Sequence, residues 1–414
     1  MAKAEVTVPL GIPEVRVLKT EINKKGELII TIESTKKGTN CHWCGNWITK
    51  SHGYDEWVQV RHLSVFGRPT YLRYRPRRYR CECCEQKPTT TQRLEWHENG
   101  SPNTMAYDDH LLVQLVHSTI EDVSIKEGAS YDSVLGVMER KIAAKTEWSR
   151  YQAISRLGLD EIAIKKGHRD FVTIVTGRLQ NDRIVLLGVL PGRKKDTVVE
   201  FLRSIPLRLV ATIASVCCDM YEGYTEAVRE ELPKADIVVD RFHVTQAYSK
   251  AADKLRQQEL KRLKQELPKE EYQLLKGNMW AFRKKKADLL PEERKVLRKM
   301  FSFSPDLKQA YQFREQLTAI FDLPIQKAAA QRKFRAWIKR VRKSGLTCFD
   351  PFIKTLLNWL DEISNFFIQR DTSGFVEGFN NKVKVLKRRC YGIFNTQHLF
   401  QRIFLDLEGY RLFT

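Results

Sequence analysis

The sequence has 414 residues, and its 71 Lys and Arg against 50 Asp and Glu give a formal charge of +21 at pH 7. With 42% hydrophobic and 29% charged residues, it is not a collagen, a membrane bundle or a disordered polyelectrolyte. Its length accommodates about two to four domains of roughly 100–200 residues each. The positive charge favours a polyanionic partner, most often nucleic acid, over the alternative of a basic protein that has no such partner.

The start of the chain and its cysteines indicate a cytoplasmic protein. The N-terminal segment has an early acid, Glu5, and no apolar core, so we expect no signal peptide. The longest apolar run, around 209–218, has about half the length that a membrane span needs. The nine cysteines are an odd number. This favours a reducing compartment, where clustered cysteines bind metal more often than they form disulfides.

Two Cys-x-x-Cys pairs are the clearest local motif. Cys41 with Cys44, and Cys81 with Cys84, each place two thiolates within reach of one tetrahedral ion. Together they predict a structural Zn-Cys₄ site, for which the intervening segment has to fold back. Cys83 could replace Cys84, although the spacing favours Cys84. The alternative is two unrelated pairs, one of them redox-active.

The segment between the cysteine pairs predicts a hairpin with its turn at 66–69, and residues 27–32 before it alternate weakly and predict a strand. Aromatic residues and arginines are interleaved after the turn. Such a strand beside a zinc knuckle can lie on the phosphates of DNA. The arginines expected there are Arg73, Arg75, Arg77, Arg78 and Arg80.

Residues 104–147 predict three short helices. Gly128 and Ser130 form a tight break before the third, as a helix terminator and an N-cap. This arrangement is typical of a helix-turn-helix, in which the start of the last helix enters the major groove. A three-helix unit that binds nothing is the alternative. The residues expected near DNA are Ser130, Tyr131, Asp132 and Ser133.

From residue 158 onwards the pattern changes to strands. Three strands, then helix, strand, helix and strand, is the order of an RNase H-like mixed sheet. Residues 245–345 are strongly helical and rich in charge, and a last helical region spans about 350–412. The predicted elements of the sheet region are strands 159–164, 171–176, 183–189, 211–218 and 237–240, and helices 196–204 and 222–231.

Two aspartates lie at predicted strand ends. Asp160 is in or beside the first strand, and Asp219 directly follows a buried one. Carboxylates of adjacent strands can converge on one metal site, and oxygen ligands suit Mg²⁺. A pair of such ions, about 4 Å apart, stabilises the attacking and leaving oxygens in phosphoryl transfer. Two acids that are simply solvated are the alternative.

A third carboxylate, Glu377, lies on a predicted helix with two stripes. The polar stripe is turned by about 200° from the apolar one. Such a face suits a metal-bound phosphate, and an ordinary solvated face is the alternative. The apolar stripe contains Phe379, Val383, Leu386 and Cys390, and the polar stripe contains Glu377, Asn381, Lys384 and Arg388.

In this order, the motifs resemble those of the ISL-three family of bacterial insertion-sequence transposases, which use a DDE active site. The resemblance covers nearly the whole chain. It rests on the Cys-x-x-Cys pairs, the three helices, and the segments 159–168 (LDEIAIKKGH), 218–221 (CDMY) with Tyr224, 237–244 (IVVDRFHV), 377–384 (EGFNNKVK) and 386–389 (LKRR) through Gly392 and Asn395.

The resemblance implies an α/β protein in which a zinc-binding ribbon and a helix-turn-helix precede an RNase H-like catalytic domain with a helical insertion. It implies Asp160, Asp219 and Glu377 as the catalytic ligands of Mg²⁺ or Mn²⁺, with Asp240 and His243 in support. The predicted domains are the zinc-binding domain 1–100, the helix-turn-helix 101–150, the first catalytic part 151–244, the insertion 245–345 and the last catalytic part 346–414.

We therefore expect a DNA transposase that binds the inverted repeats at the ends of its element and catalyses metal-dependent cleavage and strand transfer. Double-stranded DNA would be its partner, Lys384 and Arg388 would also contact it, and a homodimer or higher oligomer would form on it. In a bacterial cell it would be nucleoid-associated. The alternatives are a non-catalytic DNA-binding regulator derived from such an enzyme, or an RNase H-like nuclease. A helix-turn-helix favours duplex DNA, because A-form grooves do not admit such a helix.

Overall fold

The computed structural model describes residues 10–164, 170–275, 278–370 and 374–414. The last four positions of the motif 159–168 lie outside the described residues. The chain divides into two units, which are Met1–Ile142 with Phe404–Thr414, and Ala143–Ile403. The fold is mixed α/β, as predicted. Among the helices of the described ranges, none is both long and apolar enough to span a membrane.

The first unit begins with short strands in three sheets, of order β1-β2-β7-β6, β3-β4 and β5-β8-β9. The predicted hairpin is β6 and β7. It is closed by Phe66 and Gly67, both at positive φ, and this twist matches that of the flanking strands. The strands are β1 (Val15–Ile22), β2 (Leu28–Ser34), β3 (Thr39–Asn40), β4 (Trp47–Ile48), β5 (Ser51–Tyr54), β6 (Val58–Val65), β7 (Arg68–Tyr74), β8 (Arg77–Arg80) and β9 (Thr89–Thr91).

The three predicted helices follow as α1 (Met105–Leu115), α2 (Ile120–Glu127) and α3 (Tyr131–Lys141). Each starts at a hydroxyl side chain that accepts a hydrogen bond from the backbone N–H three residues further on. Helix α2 ends at Gly128, which adopts the left-handed conformation that a residue without a Cβ adopts at little cost. Local sequence signals therefore set both ends of these helices. The capping residues are Thr104, Thr119 and Ser130.

The second unit is built on a five-stranded sheet of order β12-β11-β10-β13-β14. Strands β10, β11 and β12 are antiparallel neighbours, whereas β13 runs parallel to both β10 and β14. The strands are β10 (Arg156–Ala163), β11 (Phe171–Arg178), β12 (Ile184–Pro191), β13 (Ser215–Cys218) and β14 (Asp236–Val239).

Helices cover the rest of this unit, and the predicted helical stretch 245–345 is confirmed. From Phe404 on, the last helix belongs to the first unit. The α-helices are α4 (Lys195–Arg203), α5 (Leu207–Val210), α6 (Glu222–Glu231), α7 (Arg241–Glu266), α8 (Lys269–Gln273), α9 (Asn278–Arg283), α10 (Pro291–Phe303), α11 (Pro305–Asp322), α12 (Lys327–Lys343), α13 (Asp350–Asn358), α14 (Leu360–Ser364), α15 (Phe366–Gln369), α16 (Gly374–Arg389) and α17 (Thr396–Phe413), with 3₁₀ turns at Trp148–Arg150, Lys286–Asp288 and Thr347–Phe349.

The predicted strand 211–218 is wrong in its first half. Pro206 precedes the short helix α5, and the Thr212 hydroxyl donates to the carbonyl of Leu209 and closes the following turn. Only Ser215–Cys218 pair in the sheet. An apolar run of this length does not distinguish a buried helical turn from a strand.

Candidate functional site

The four predicted cysteines come together in the first unit. The sulfurs of Cys41, Cys44, Cys81 and Cys84 lie within 4.8 Å of one another, with 3.7 Å between Cys44 and Cys81 and 3.6 Å between Cys81 and Cys84. A tetrahedral ion with Zn–S bonds of about 2.3 Å holds its sulfurs about 3.8 Å apart, so the set fits zinc. Backbone hydrogen bonds from Cys44 and Trp43 lower the pKa of Cys41 to about 6, whereas burial and the neighbouring thiols raise the pKa of Cys84 to about 12, so Cys41 is the first thiolate of the metal-free cluster. Cys83 is exposed and lies outside this cluster.

The five predicted arginines have two different environments. Arg77 is half-buried and paired with Glu33 at 2.6 Å, and Arg78 donates to the Thr89 hydroxyl at 2.6 Å. The other three arginines, Arg73, Arg75 and Arg80, are exposed. The Arg73 guanidinium lies 4.9 Å from the ring centre of Trp57, which orients it without neutralising its charge. These three can therefore meet phosphates, while the first two hold the strand in place.

The start of α3 presents a polar surface. Tyr131 is 47% exposed and Ser130 is exposed, but Ser133 is half-buried. The Ser130 hydroxyl accepts a hydrogen bond from the N–H of Ser133, so one of its roles is to cap the helix.

Asp160 and Asp219 come together because their strands are parallel neighbours in the second unit. In the β10–β13 register Leu159 pairs with Cys218, so the two aspartates follow at the next position of each chain. Burial and the negative charge of Asp219 raise the pKa of Asp160 to about 6. Two carboxylates whose charges repel, with oxygen donors only, fit a divalent cation such as Mg²⁺.

The predicted supporting residues lie beside these aspartates. The Nε2 atom of His243 is 2.5 Å from Oδ1 of Asp219. Burial alone would lower the pKa of His243, but the hydrogen bond to Asp219 and the charges of Asp240 and Asp160 raise it. Asp240 is buried and accepts the N–H of Phe242 at 2.8 Å, so it caps α7, the helix that carries His243.

Helix α16 runs along β10 in the same direction. Its Asn380 side chain donates to the Asp160 carboxylate, and further on Lys387 donates to the carbonyl of Ala163. The predicted stripes are confirmed by burial. Phe379, Val383 and Leu386 are buried and Cys390 is half-buried, whereas Glu377, Asn381, Lys384 and Arg388 are exposed.

Glu377 does not reach the two aspartates in this conformation. Among the described residues, the cysteine cluster is the one group of three or more candidate ligands whose atoms lie within 4.8 Å of one another. Glu377 precedes Asn380 by three residues, which is about 300° around the helix, so it lies at the edge of the buried face, and its side chain is exposed. Helix α16 therefore brings the chain around Glu377 to β10, while its carboxylate stays in solvent.

Sequence reasoning missed Asn380, which is 3% exposed and directly contacts Asp160. The sequence could have identified Asn380, because its position next to Phe379 places an amide beside the apolar stripe of the predicted helix. Such a buried amide needs a partner, and the nearest strand supplies a carboxylate.

Two family models match this chain. Residues 157–403, more than half of it, match a transposase family, and residues 37–84 match the zinc-finger of transposases IS204, IS1001, IS1096 and IS1165. The chain belongs to the ISL-three family of transposases. The matched ranges include both aspartates, Glu377 and all four clustered cysteines.

Relatives of this transposase are similar over almost their full length. The transposase for insertion sequence element IS1001 of Bordetella parapertussis is 25% identical over 383 residues, 92% of each chain. The transposase for IS1557 of Mycobacterium tuberculosis is 24% identical over 395 residues, 90% of this chain and 86% of the relative. Among solved structures, the Drosophila P element transposase strand transfer complex has a TM-score of 0.39 at 10% identity, covering 74% of this chain and 92% of that one.

The contact between α16 and β10 depends on Gly158. A Cβ added there would press against Cγ2 of Val376 and lie 2.5 Å from the Thr176 hydroxyl. We expect Gly158→Ala to destabilise the second unit by about 1–3 kcal/mol, as overpacking does, and to slow DNA cleavage because α16 is displaced from Asp160. Thermal unfolding and a cleavage assay measure the two effects.

Gly378→Ala is the matched control, since a Cβ on Gly378 of the same helix meets nothing within 4 Å. It should stabilise the unit by about 0.5–1 kcal/mol through higher helix propensity. Equal stability of the two variants would mean that α16 does not pack on β10 as described.

Proposed function

We propose that this transposase binds the inverted repeats at the ends of its element, cuts phosphodiester bonds there, and joins the freed 3′-hydroxyls to target DNA. The pairing of Asp160 with Asp219 at adjacent strand positions carries this proposal. Water, and later a DNA 3′-hydroxyl, would be the nucleophile. Both reactions are phosphoryl transfers, one a hydrolysis and the other a transesterification.

Asp160, Asp219 and Glu377 would hold the divalent cations, Mg²⁺ or Mn²⁺. When bound, such a pair of ions activates the attacking oxygen and stabilises the leaving oxygen. Asn380 would orient the Asp160 carboxylate through its hydrogen bond, and His243 would orient Asp219 in the same way. Glu377 would have to turn inward by a side-chain rotation, because its helix already lies beside β10.

The strand order supports an RNase H-like catalytic domain. Three antiparallel strands, followed by two parallel strands on the other side of β10, place Asp160 centrally in the sheet. We propose that 151–244 and 346–414 form this domain, except for the end of the last helix, Phe404–Thr414, which belongs to the first unit. We propose that 245–345 is an insertion.

The first unit would recognise the element ends. We propose that Cys41, Cys44, Cys81 and Cys84 hold a structural Zn²⁺ in domain 1–100, and that α1–α3 in 101–150 act as a helix-turn-helix with Ser130, Tyr131 and Ser133 near the DNA.

Lys384 and Arg388 of α16 would contact phosphates beside the active site. Because two element ends have to be joined, we propose a homodimer or higher oligomer on DNA, associated with the bacterial nucleoid.

The deciding experiment is incubation of the purified protein with duplex DNA that carries the inverted repeat of its element, in Mg²⁺. We expect cuts at the element boundary and joined products with target DNA, mapped by sequencing. Binding of the repeat without any cut in Mg²⁺ or Mn²⁺ would instead support a non-catalytic regulator.

The salt dependence of binding should distinguish the two classes of arginine. With six or more phosphates neutralised, affinity should fall by roughly 10³ or more between about 50 and 200 mM salt. We expect Arg73→Gln with Arg80→Gln to reduce the slope of log K against log salt by about two units, because both side chains are exposed. Filter binding at several salt concentrations measures this slope.

The control removes two exposed arginines of α12, Arg332→Gln with Arg335→Gln, at the same cost in net charge. Its slope should stay at the wild-type value. If the Arg73/Arg80 variant has the same slope as the Arg332/Arg335 control, β7 and β8 do not face the DNA.

A further inference from the structure

A cleft of about 400 Å³ opens directly beside Asp219. Helix α7 contributes several of its lining residues, and Cys348, Phe352 and Thr355 contribute others. The cleft therefore extends from the candidate metal ligands into the predicted helical insertion. Four α7 residues line it at positions that share one helix face, namely His243, Ala247, Lys250 and Lys254.

The cleft is lined by two lysines of α7 and by the acidic side chains of Asp219 and Glu161. Lys250 and Lys254 are exposed, and neither forms an ion pair with another described residue. Arg193 lines the cleft as well, with its guanidinium 5.0 Å from the ring centre of Tyr221 and 3.1 Å from the Glu161 carboxylate. Unpaired cations along the wall of a cleft concentrate anions within it.

Two small side chains of α7 lie near the lysines along the cleft. Ala247 and Ala251 line the cleft where longer side chains would fill it. The arrangement thus suits a strand that lies along α7.

The spacing along α7 defines which part of a strand would meet the lysines. At 1.5 Å per residue, Lys250 and Lys254 lie about 10 and 16 Å along the helix from His243, which contacts Asp219. One DNA strand advances about 3.4 Å per nucleotide along its axis. The two lysines are therefore level with phosphates roughly three to five nucleotides from a bond held at Asp219.

We propose that this cleft is the track of the DNA strand that is cut, and that Lys250 and Lys254 are positioning residues that bind its phosphates about three to five nucleotides from the scissile bond. The inference rests on the proposed function, because the strand is placed by the reaction at Asp219. It assigns the start of the helical insertion a role in alignment of the substrate rather than in recognition of the element ends.

The test compares Lys250→Gln with Lys254→Gln against a matched control on the same helix, Lys261→Gln with Lys264→Gln, whose side chains are exposed and outside the cleft. The probe is duplex DNA with the element's inverted repeat. Hydroxyl-radical footprinting in Ca²⁺ reports where the backbone is covered, and single-turnover cleavage in Mg²⁺ reports alignment.

We expect the wild-type protein and the control to protect the cut strand about three to five nucleotides from the element boundary. The cleft variant should lose this protection and cleave about 10–100-fold more slowly at saturating protein, while the slope of log K against log salt falls by no more than about two units, as the loss of two phosphate contacts requires. Protection that persists in the cleft variant overturns the inference, whether or not the wild-type protein cleaves. A protein with the expected footprint but no cleavage contradicts the proposed function, and the footprint alone then decides the inference.

Discussion

Asp160→Asn, Asp219→Asn and Glu377→Gln are each expected to abolish DNA cleavage and strand transfer. An amide does not supply the charge that shared ligands of two divalent cations need. Because we propose that the three residues act as one unit, double variants should be no slower than single ones. Cleavage of a labelled inverted-repeat duplex in Mg²⁺ measures the loss, and Ca²⁺ should support binding without turnover.

Folding and DNA binding serve as the controls for this prediction. Burial and the charge of Asp219 raise the pKa of Asp160, so the folded protein without metal disfavours the ionised carboxylate. Asp160→Asn should therefore unfold at or above the wild-type temperature. Affinity for the element ends should stay near the wild-type value, since we propose that the first unit supplies it.

Near wild-type cleavage by Glu377→Gln would show that the third ligand is another acid. Glu362 is an unfavourable candidate for the third ligand, because it is buried and paired with Arg229. Glu408 is buried and paired with Arg411. Glu161 would be the next candidate to test by substitution, since it directly follows Asp160 and lines the cleft beside Asp219.

Loss of the zinc site is expected to have the second large effect. Metal analysis should find about one tightly held Zn²⁺ per chain. Cys41→Ser or Cys81→Ser should release it and lower affinity for the element ends by about tenfold or more, because the arginine-bearing strand β8 leads directly into Cys81. The second unit should stay folded, as monitored by its thermal transition.

Cys83→Ser is the matched control for the zinc prediction. Cys83 lies between Glu82 and Cys84 but is exposed and outside the cluster, so its replacement should leave metal content and DNA binding unchanged. A wild-type protein that purifies without zinc and still binds the inverted repeat would contradict the assignment.

Much of the local structure follows from the sequence itself. The predicted N-cap Ser130, the terminator Gly128 and the turn at 66–69 are short-range signals, and each is realised at its position. Helix 222–231 and the two stripes of α16 are likewise confirmed, because a period of 3.6 residues needs only neighbouring side chains to be expressed.

Spacing pointed to the clustered cysteines, and position at predicted strand ends made Asp160 and Asp219 candidates for one metal site, with two solvated acids as the alternative. The fold-back that joins Cys44 to Cys81, and the parallel pairing that sets Asp160 beside Asp219, are long-range contacts. No local period encodes such contacts. The family resemblance, rather than periodicity, supplied Glu377 as the third acid.

Only the tertiary structure decided which polar groups are engaged. It divides the arginines into Arg77 and Arg78, held by partners, and three that are exposed. It directs Asn380 to Asp160 and leaves Glu377 in solvent, although the two lie on one helix. It also turns Lys250 and Lys254 into the cleft beside Asp219. Burial and partner choice depend on what packs against each face, and a sequence specifies that only through the whole fold.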